Sequence, residues 1–170
     1  MTDLTLRLSR TIDAAPAAVW DVLTDLTRSA ERLSGVESVQ IMTPGPYAVG
    51  TRWRQTRSFF GRSSTEEMWV RQNHPLRYTV IESGEGEATF RTVWQLEPIE
   101  SLDDDGRCPT TSLTVTFTAT AGTSALGRAA SAVLGPVGLR ATRRALHRDL
   151  DDIAAAAQDY PRQESHPEGA

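Results

Sequence analysis

Between positions 112 and 120 hydroxyl and apolar side chains alternate at every step: Ser112, Thr114, Thr116, Thr118 and Thr120 interleave with Leu113, Val115, Phe117 and Ala119. Successive side chains of a strand point to opposite faces, so this segment is a strand with one wet and one dry side. A sheet built from such strands can leave its polar face in water but has to bury the other. The rest of the chain must supply the cover.

Most of it supplies more sheet. Leu4, Leu6, Leu8 and Ile12 alternate with Thr5, Arg7, Ser9 and Thr11 and predict a first strand. Pro16 suits the first turn of a helix, where a missing N–H costs nothing. Val19, Leu23 and Leu26, broadened by Trp20 and Val22, give that helix an apolar stripe, with Asp21 and Asp25 on its wet side. A second short helical piece is expected over 29–33, stopping at Gly35. A meander follows, marked by Val39 and Ile41, then Trp53, Gln55, Arg57 and Phe59, then Glu66, Met68 and Val70, then Tyr78, Val80 and Ile81, then Phe90, Thr92, Trp94 and Leu96. Runs containing Pro44, Gly61, Pro75 and Gly84 punctuate these strands.

The only element long enough to cover the dry face comes last. Over 122–160, Leu126, Ala130, Val133 and Val137 form one helical stripe, and Leu139, Leu146, Leu150, Ile153 and Ala157 form another, with Arg143, Arg144, Asp151 and Asp152 outside. The run Gly135-Pro136-Val137-Gly138 between the stripes predicts a kink or break, because a proline inside a helix removes a hydrogen bond and clashes with the preceding turn. Such a break would let the first half of the helix act as a gate. Residues 161–170 are polar and without period, and a disordered tail is expected there. The reading is a single α+β domain over 1–160. A curved antiparallel sheet of about six to seven strands wraps a long C-terminal helix, with two short helices after the first strand. A sheet gripping one helix leaves residual space, and such pockets are mostly apolar with a few polar groups.

Charge and composition remove several function classes. The 18 basic residues, all arginine, are outnumbered by 22 acidic ones, so a formal net charge of −4 gives no bulk attraction to nucleic acid or anionic membrane. One cysteine, Cys108, allows neither an internal disulfide nor a cysteine-based zinc cluster, and it reads as an incidental loop thiol. His74, His147 and His166 lack metal-ligand spacing. The chain holds no nucleophile elbow, phosphate loop or dinucleotide fingerprint, so neither a cofactor nor a covalent nucleophile is expected. It has neither a secretory signal nor a membrane-spanning run, and a cytoplasmic location is expected.

The segment Ile12-Asp13-Ala14-Ala15-Pro16-Ala17-Ala18-Val19-Trp20-Asp21-Val22-Leu23-Thr24-Asp25 resembles the opening of the START-like (SRPBCC) superfamily, especially its polyketide cyclase/dehydrase group. Val49-Gly50-Thr51-Arg52-Trp53 is similar to that group's approach to the third strand, Asn73-His74-Pro75-Leu76-Arg77 to its proline turn, and residues 146–153 to its closing helix. Pro109-Thr110-Thr111-Ser112-Leu113-Thr114 echoes the group's pattern before the last strand only loosely. The likeness spans about residues 4–157 and implies the helix-grip fold with an internal cavity for a hydrophobic molecule.

Alternation then nominates the inward positions: Trp53, Gln55, Arg57, Glu66, Met68, Tyr78, Phe90, Thr92, Trp94 and Phe117 on strands, and Leu134, Leu139 and Leu146 on the helix. An aromatic on a dry face needs no ligand, so each reads first as core. The polar members say more, since a buried Arg or Glu without a partner is costly. Arg57 and Glu66, on strands joined through Gly61, are expected to pair across the hairpin; a one-residue register slip would put both in water. Three readings follow. The first is a carrier or sensor of a lipid, polyketide or similar molecule, monomeric or weakly dimeric. The second, implied by the resemblance, is a polyketide cyclase or dehydratase in which Arg57, Glu66 or Tyr78 moves protons. The third is a protein-interaction module of the ribosome-associated or co-chaperone kind, which would need a large exposed apolar patch.

Overall fold

A computed structural model describes residues 2–59, 61–85, 88–99, 109–121 and 135–160. Strand β1 (Thr2–Ile12) leads to α1 (Pro16–Thr24), a 3₁₀ turn (Leu26–Arg28) and α2 (Ser29–Arg32). Then come β2 (Val36–Ile41), β3 (Arg52–Phe59), β4 (Arg62–His74), β5 (Tyr78–Glu85), β6 (Ala88–Ile99), β7 (Thr110–Ala121) and the long helix α3 (Pro136–Gln158). The strands form one antiparallel sheet in the order β1-β7-β6-β5-β4-β3-β2. Six of them are a meander of hairpins, and β1 closes onto β7 from the far end of the chain.

The hydroxyl alternation along residues 112–120 becomes the outer face. Thr5 and Thr118 hydrogen-bond through their hydroxyls at 3.3 Å, and Ser9 and Thr114 at 2.8 Å, stitching β1 to β7. The opposite residues, Leu113 and Val115, are fully buried against Leu6, Leu8, Leu146, Leu150 and Ile153. The sheet bends at irregularities in β2, between Val36 and Ser38, and in β4, between Val70 and Gln72. An extra residue on one strand sharpens the local twist, so these bulges help the sheet curl over α3. At the second, Gly50 N–H donates to the Val70 carbonyl (2.9 Å) and Val70 N–H to the Thr51 carbonyl (3.0 Å), docking the lead-in to β3 on the bend. Gly50 has φ of +90°, a conformation glycine adopts without strain.

The kink or break expected at Gly135-Pro136 falls where α3 begins. Gly135 is the extended N-cap of α3 and Pro136 its first residue, where proline loses no hydrogen bond. The stripe expected upstream, over 122–134, lies outside the described residues, as does the tail over 161–170. At about 1.5 Å per residue the 23 residues of α3 run roughly 35 Å across the sheet, packing also on α1 and β1.

Candidate functional site

Between the sheet's inner face, α1 and α3 lies a cavity of about 270 Å³. Its floor is aromatic. Trp53 (β3), Trp94 and Phe90 (β6) and Phe117 (β7) share it with Met68 and Ile81, and the Phe90 and Phe117 rings stack with centroids 6.0 Å apart. Val22, Leu23, Leu26 and Leu33 from the α1–α2 segment close one side, and Thr142, Ala145, Leu146, Asp149 and Ile153 from α3 form the roof.

Besides Ser29, Ser64, Thr92 and Thr142, three hydrogen-bonded polar arrangements interrupt this lining. Gln55 accepts a hydrogen bond from Trp53 Nε1 (3.4 Å) through its carbonyl, which turns its amide group away from the indole. Glu66 accepts from the Ser83 hydroxyl at 3.1 Å across β4–β5. Arg57 Nη2 donates to Asp149 Oδ1 at 2.5 Å, joining β3 to α3. That last pair is lopsided: the Arg57 side chain keeps 28% of its surface accessible and Asp149 only 5%. The carboxylate is the deep member and the guanidinium the more accessible one. Burial pushes the Asp149 carboxyl above the ordinary carboxylate range, with Arg57 pulling against that rise and Asp152 adding to it. Gly35 sits at the same junction; a Cβ there would stand 3.4 Å from Arg57 Nη2 and 3.8 Å from Asp149 Oδ1.

Behind Trp53 lies the β2–β3 connection. Tyr47 tilts against Trp53 and shares a 2.8 Å hydrogen bond with the buried Thr79, which also donates to the Gln72 carbonyl (3.1 Å). Burial raises the Tyr47 phenol to about 12, the Thr79 hydrogen bond offsetting part of the rise.

Comparison with known proteins gives the site a context. Residues 3–158 match the family described as polyketide cyclase/dehydrase and lipid transport. The chain belongs to that family. Among solved structures, this family member overlays the Zhui aromatase/cyclase of Streptomyces sp. R1128 with a TM-score of 0.73 at 19% identity, covering 92% of this chain and 94% of that one. TTHA0849 of Thermus thermophilus gives 0.69 at 17%, covering 91% and 97%. The di-domain ARO/CYC BexL from the BE-7585A biosynthetic pathway gives 0.65 at 20%, covering 95% of this chain and 51% of that one. At such identities the likeness is one of fold, here the helix grip. No curated protein matches the chain.

Within this fold, Trp53, Gln55, Arg57, Glu66, Met68, Phe90, Thr92, Trp94, Phe117 and Leu146 stand in the cavity wall. Tyr78 does not. On β5 the residues in the wall are Ile81 and Ser83, and alternation puts Tyr78 with Glu82 on the other face, where its ring stacks on His74 at 4.4 Å. Leu139 packs against the core near the start of α3 without reaching the wall, and Leu134 lies outside the described residues. The expected Arg57–Glu66 pair is not formed either: Arg57 sits opposite Ser64 and Glu66 opposite Gln55, and each finds a different partner. The sequence reading passed over Asp149. Its position, three residues after Leu146 and four before Ile153, was the available signal, because that spacing puts a carboxylate on the apolar stripe.

Proposed function

We propose that this protein binds a compact apolar molecule, carrying at least one oxygen function, between its sheet and α3, and serves as a carrier or sensor. The observation behind this is the cavity's division of labour. An aromatic and aliphatic shell supplies the burial, and the few polar groups, Gln55, Glu66 with Ser83, and Arg57 with Asp149, can fix orientation. Small-molecule sites commonly span ~300–1,000 Å³, so a cavity of about 270 Å³ suits a compact ligand better than a two-chain lipid. Because Asp149 already balances Arg57, the guanidinium offers its remaining N–H groups to a carbonyl or enolate oxygen without demanding a full negative charge. The family description, with its cyclases and lipid transport, supports an apolar ligand. A cytoplasmic location, independence from nucleic acid and a monomeric or weakly dimeric state belong to the same proposal; among the described residues no helix is long and apolar enough to cross a membrane.

Native mass spectrometry of freshly purified protein tests it. A hydrophobic adduct is expected, and Ser64→Trp, which fills the cavity from its exposed rim, should remove it. Failure of the wild type to retain or take up any apolar compound would refute the reading. A catalytic role as a cyclase or dehydratase is favoured by one observation: Glu66 sets a carboxylate beside Ser83 in the same wall as Arg57, so that a proton acceptor and a cationic donor face one bound molecule. On that reading Glu66→Gln and Arg57→Met abolish turnover of a poly-ketone mimic, and Glu66→Gln still binds it. Unchanged turnover in both variants would dismiss it.

A further inference from the structure

A second concavity, of about 380 Å³, lies on the outer side of α3, bounded by Ser58 at the end of β3 and by Val137, Arg140, Ala141, Arg144, Ala145 and Arg148. Arg140, Arg144 and Arg148 recur every four residues, so their side chains rise along one face of the helix. All three are exposed, and none has an ion-pair partner within 4 Å among the described residues. Arg148 feels Asp149 at longer range, but Arg57 holds that carboxylate. Three guanidiniums in one groove repel one another unless an anion lies among them, and here they gather on a chain whose net charge is −4. The groove also reaches the first turn of α3, where Gly135 brings no side chain to cap the helix N–H groups and the dipole is positive. Finally, Ala145 belongs to both walls, so the groove adjoins the roof of the apolar cavity.

We propose that the ligand is an amphiphile with a phosphate head: the apolar part fills the cavity and the phosphate rests on Arg140, Arg144 and Arg148. This inference rests on the cavity reading above and adds the head group. Guanidiniums match phosphate oxygens in paired hydrogen bonds, and a doubly charged head suits three of them better than a carboxylate does.

The test titrates 1-octanol, octyl phosphate and inorganic phosphate into the wild type and the triple variant Arg140→Gln/Arg144→Gln/Arg148→Gln. Calorimetry and quenching of tryptophan emission are the readouts, since Trp53 and Trp94 line the cavity. At low salt octyl phosphate should bind the wild type at least about tenfold more tightly than octanol, the gain expected of even one charge-assisted contact. The triple variant should lose that gain and keep its octanol affinity. Equal affinities in the wild type, or a gain that survives the triple substitution, would overturn the proposal. So would inorganic phosphate binding as tightly as octyl phosphate, which makes the groove an ion site unconnected with the cavity. If neither octanol nor octyl phosphate binds the wild type, the cavity reading itself fails and this inference falls with it.

Discussion

Arg57→Met should destabilise the protein in a pH-dependent way. The substitution preserves much of the side chain's apolar bulk but strips Asp149 of the donor at 2.5 Å, leaving a carboxylate with 5% of its surface accessible. Removing one partner of a buried pair costs about 3–5 kcal/mol, because the survivor is a desolvated charge. The carboxyl can escape by taking up a proton. Burial already raises its folded pKa, and Arg57 is the largest influence holding it down, so the variant raises it further. The sign follows. A carboxyl whose folded pKa exceeds its unfolded value of about 3.9 binds more protons in the folded state. Stability therefore falls as pH rises from the unfolded value through the folded one. Each unit of that window costs about 1.4 kcal/mol. The loss relative to wild type should be near zero around pH 4 and grow to about 3–4 kcal/mol at neutral pH. Urea melts of both proteins from pH 4 to 8 measure it. A second variant, Arg57→Met/Asp149→Asn, should show a flat profile. A loss equally large at pH 4 and pH 8, or a double variant with the same slope, would refute the assignment of Asp149 as the orphaned charge.

Three other substitutions have calculable outcomes. Gly84→Ala should cost at least about 2 kcal/mol and fold poorly, since φ is +140° there and a Cβ would come within 2.2 Å of the Ala88 carbonyl oxygen; thermal melts check it. Leu76→Gly should raise stability by up to about 1 kcal/mol, because Leu76 has φ of +64°, is 46% exposed and loses little packing; an unchanged or lowered melting temperature contradicts this. Tyr47→Phe should remove the latest phase of a spectrophotometric tyrosine titration, the one near pH 12. Because the folded phenol ionises above its unfolded value of about 10, the wild type should lose stability between pH 10 and about 12, and the variant should not.

Alternation was a good guide wherever a large apolar residue anchors the strand's inner face, as Trp53 does on β3, Phe90 and Trp94 on β6 and Phe117 on β7. On β3, β6 and β7 the residues chosen for the wall are the ones found there, because a single register satisfies the whole dry face. It failed on β5, where Tyr78, Thr79, Val80 and Ile81 have no clean period and a bulge in β4 shifts the pairing from Val70↔Ile81 to Gln72↔Val80. Bulges depend on partner strands and leave little mark on their own sequence. Pro136 was ambiguous for a related reason: the residue that breaks a helix also starts one, and only the neighbouring chain decides. The Arg57–Asp149 pair was out of reach as a pair: each member's inward placement could be read from its own element, but they lie 92 residues apart and nothing local says that they meet.

The strand order has a consequence for how the molecule is made. Strands β2 to β7 pair with sequence neighbours and can zip up hairpin by hairpin. The β1–β7 ladder instead joins residues such as Thr5 and Thr118, separated by 113 positions, so it bears the largest loop-closure cost and should form late. Until β1 and α3 settle, the aromatic face of the meander is exposed to water and to other chains. A ligand that stabilises the finished protein can therefore do little for the nascent one. The dangerous interval in this protein's life should fall before its cavity exists.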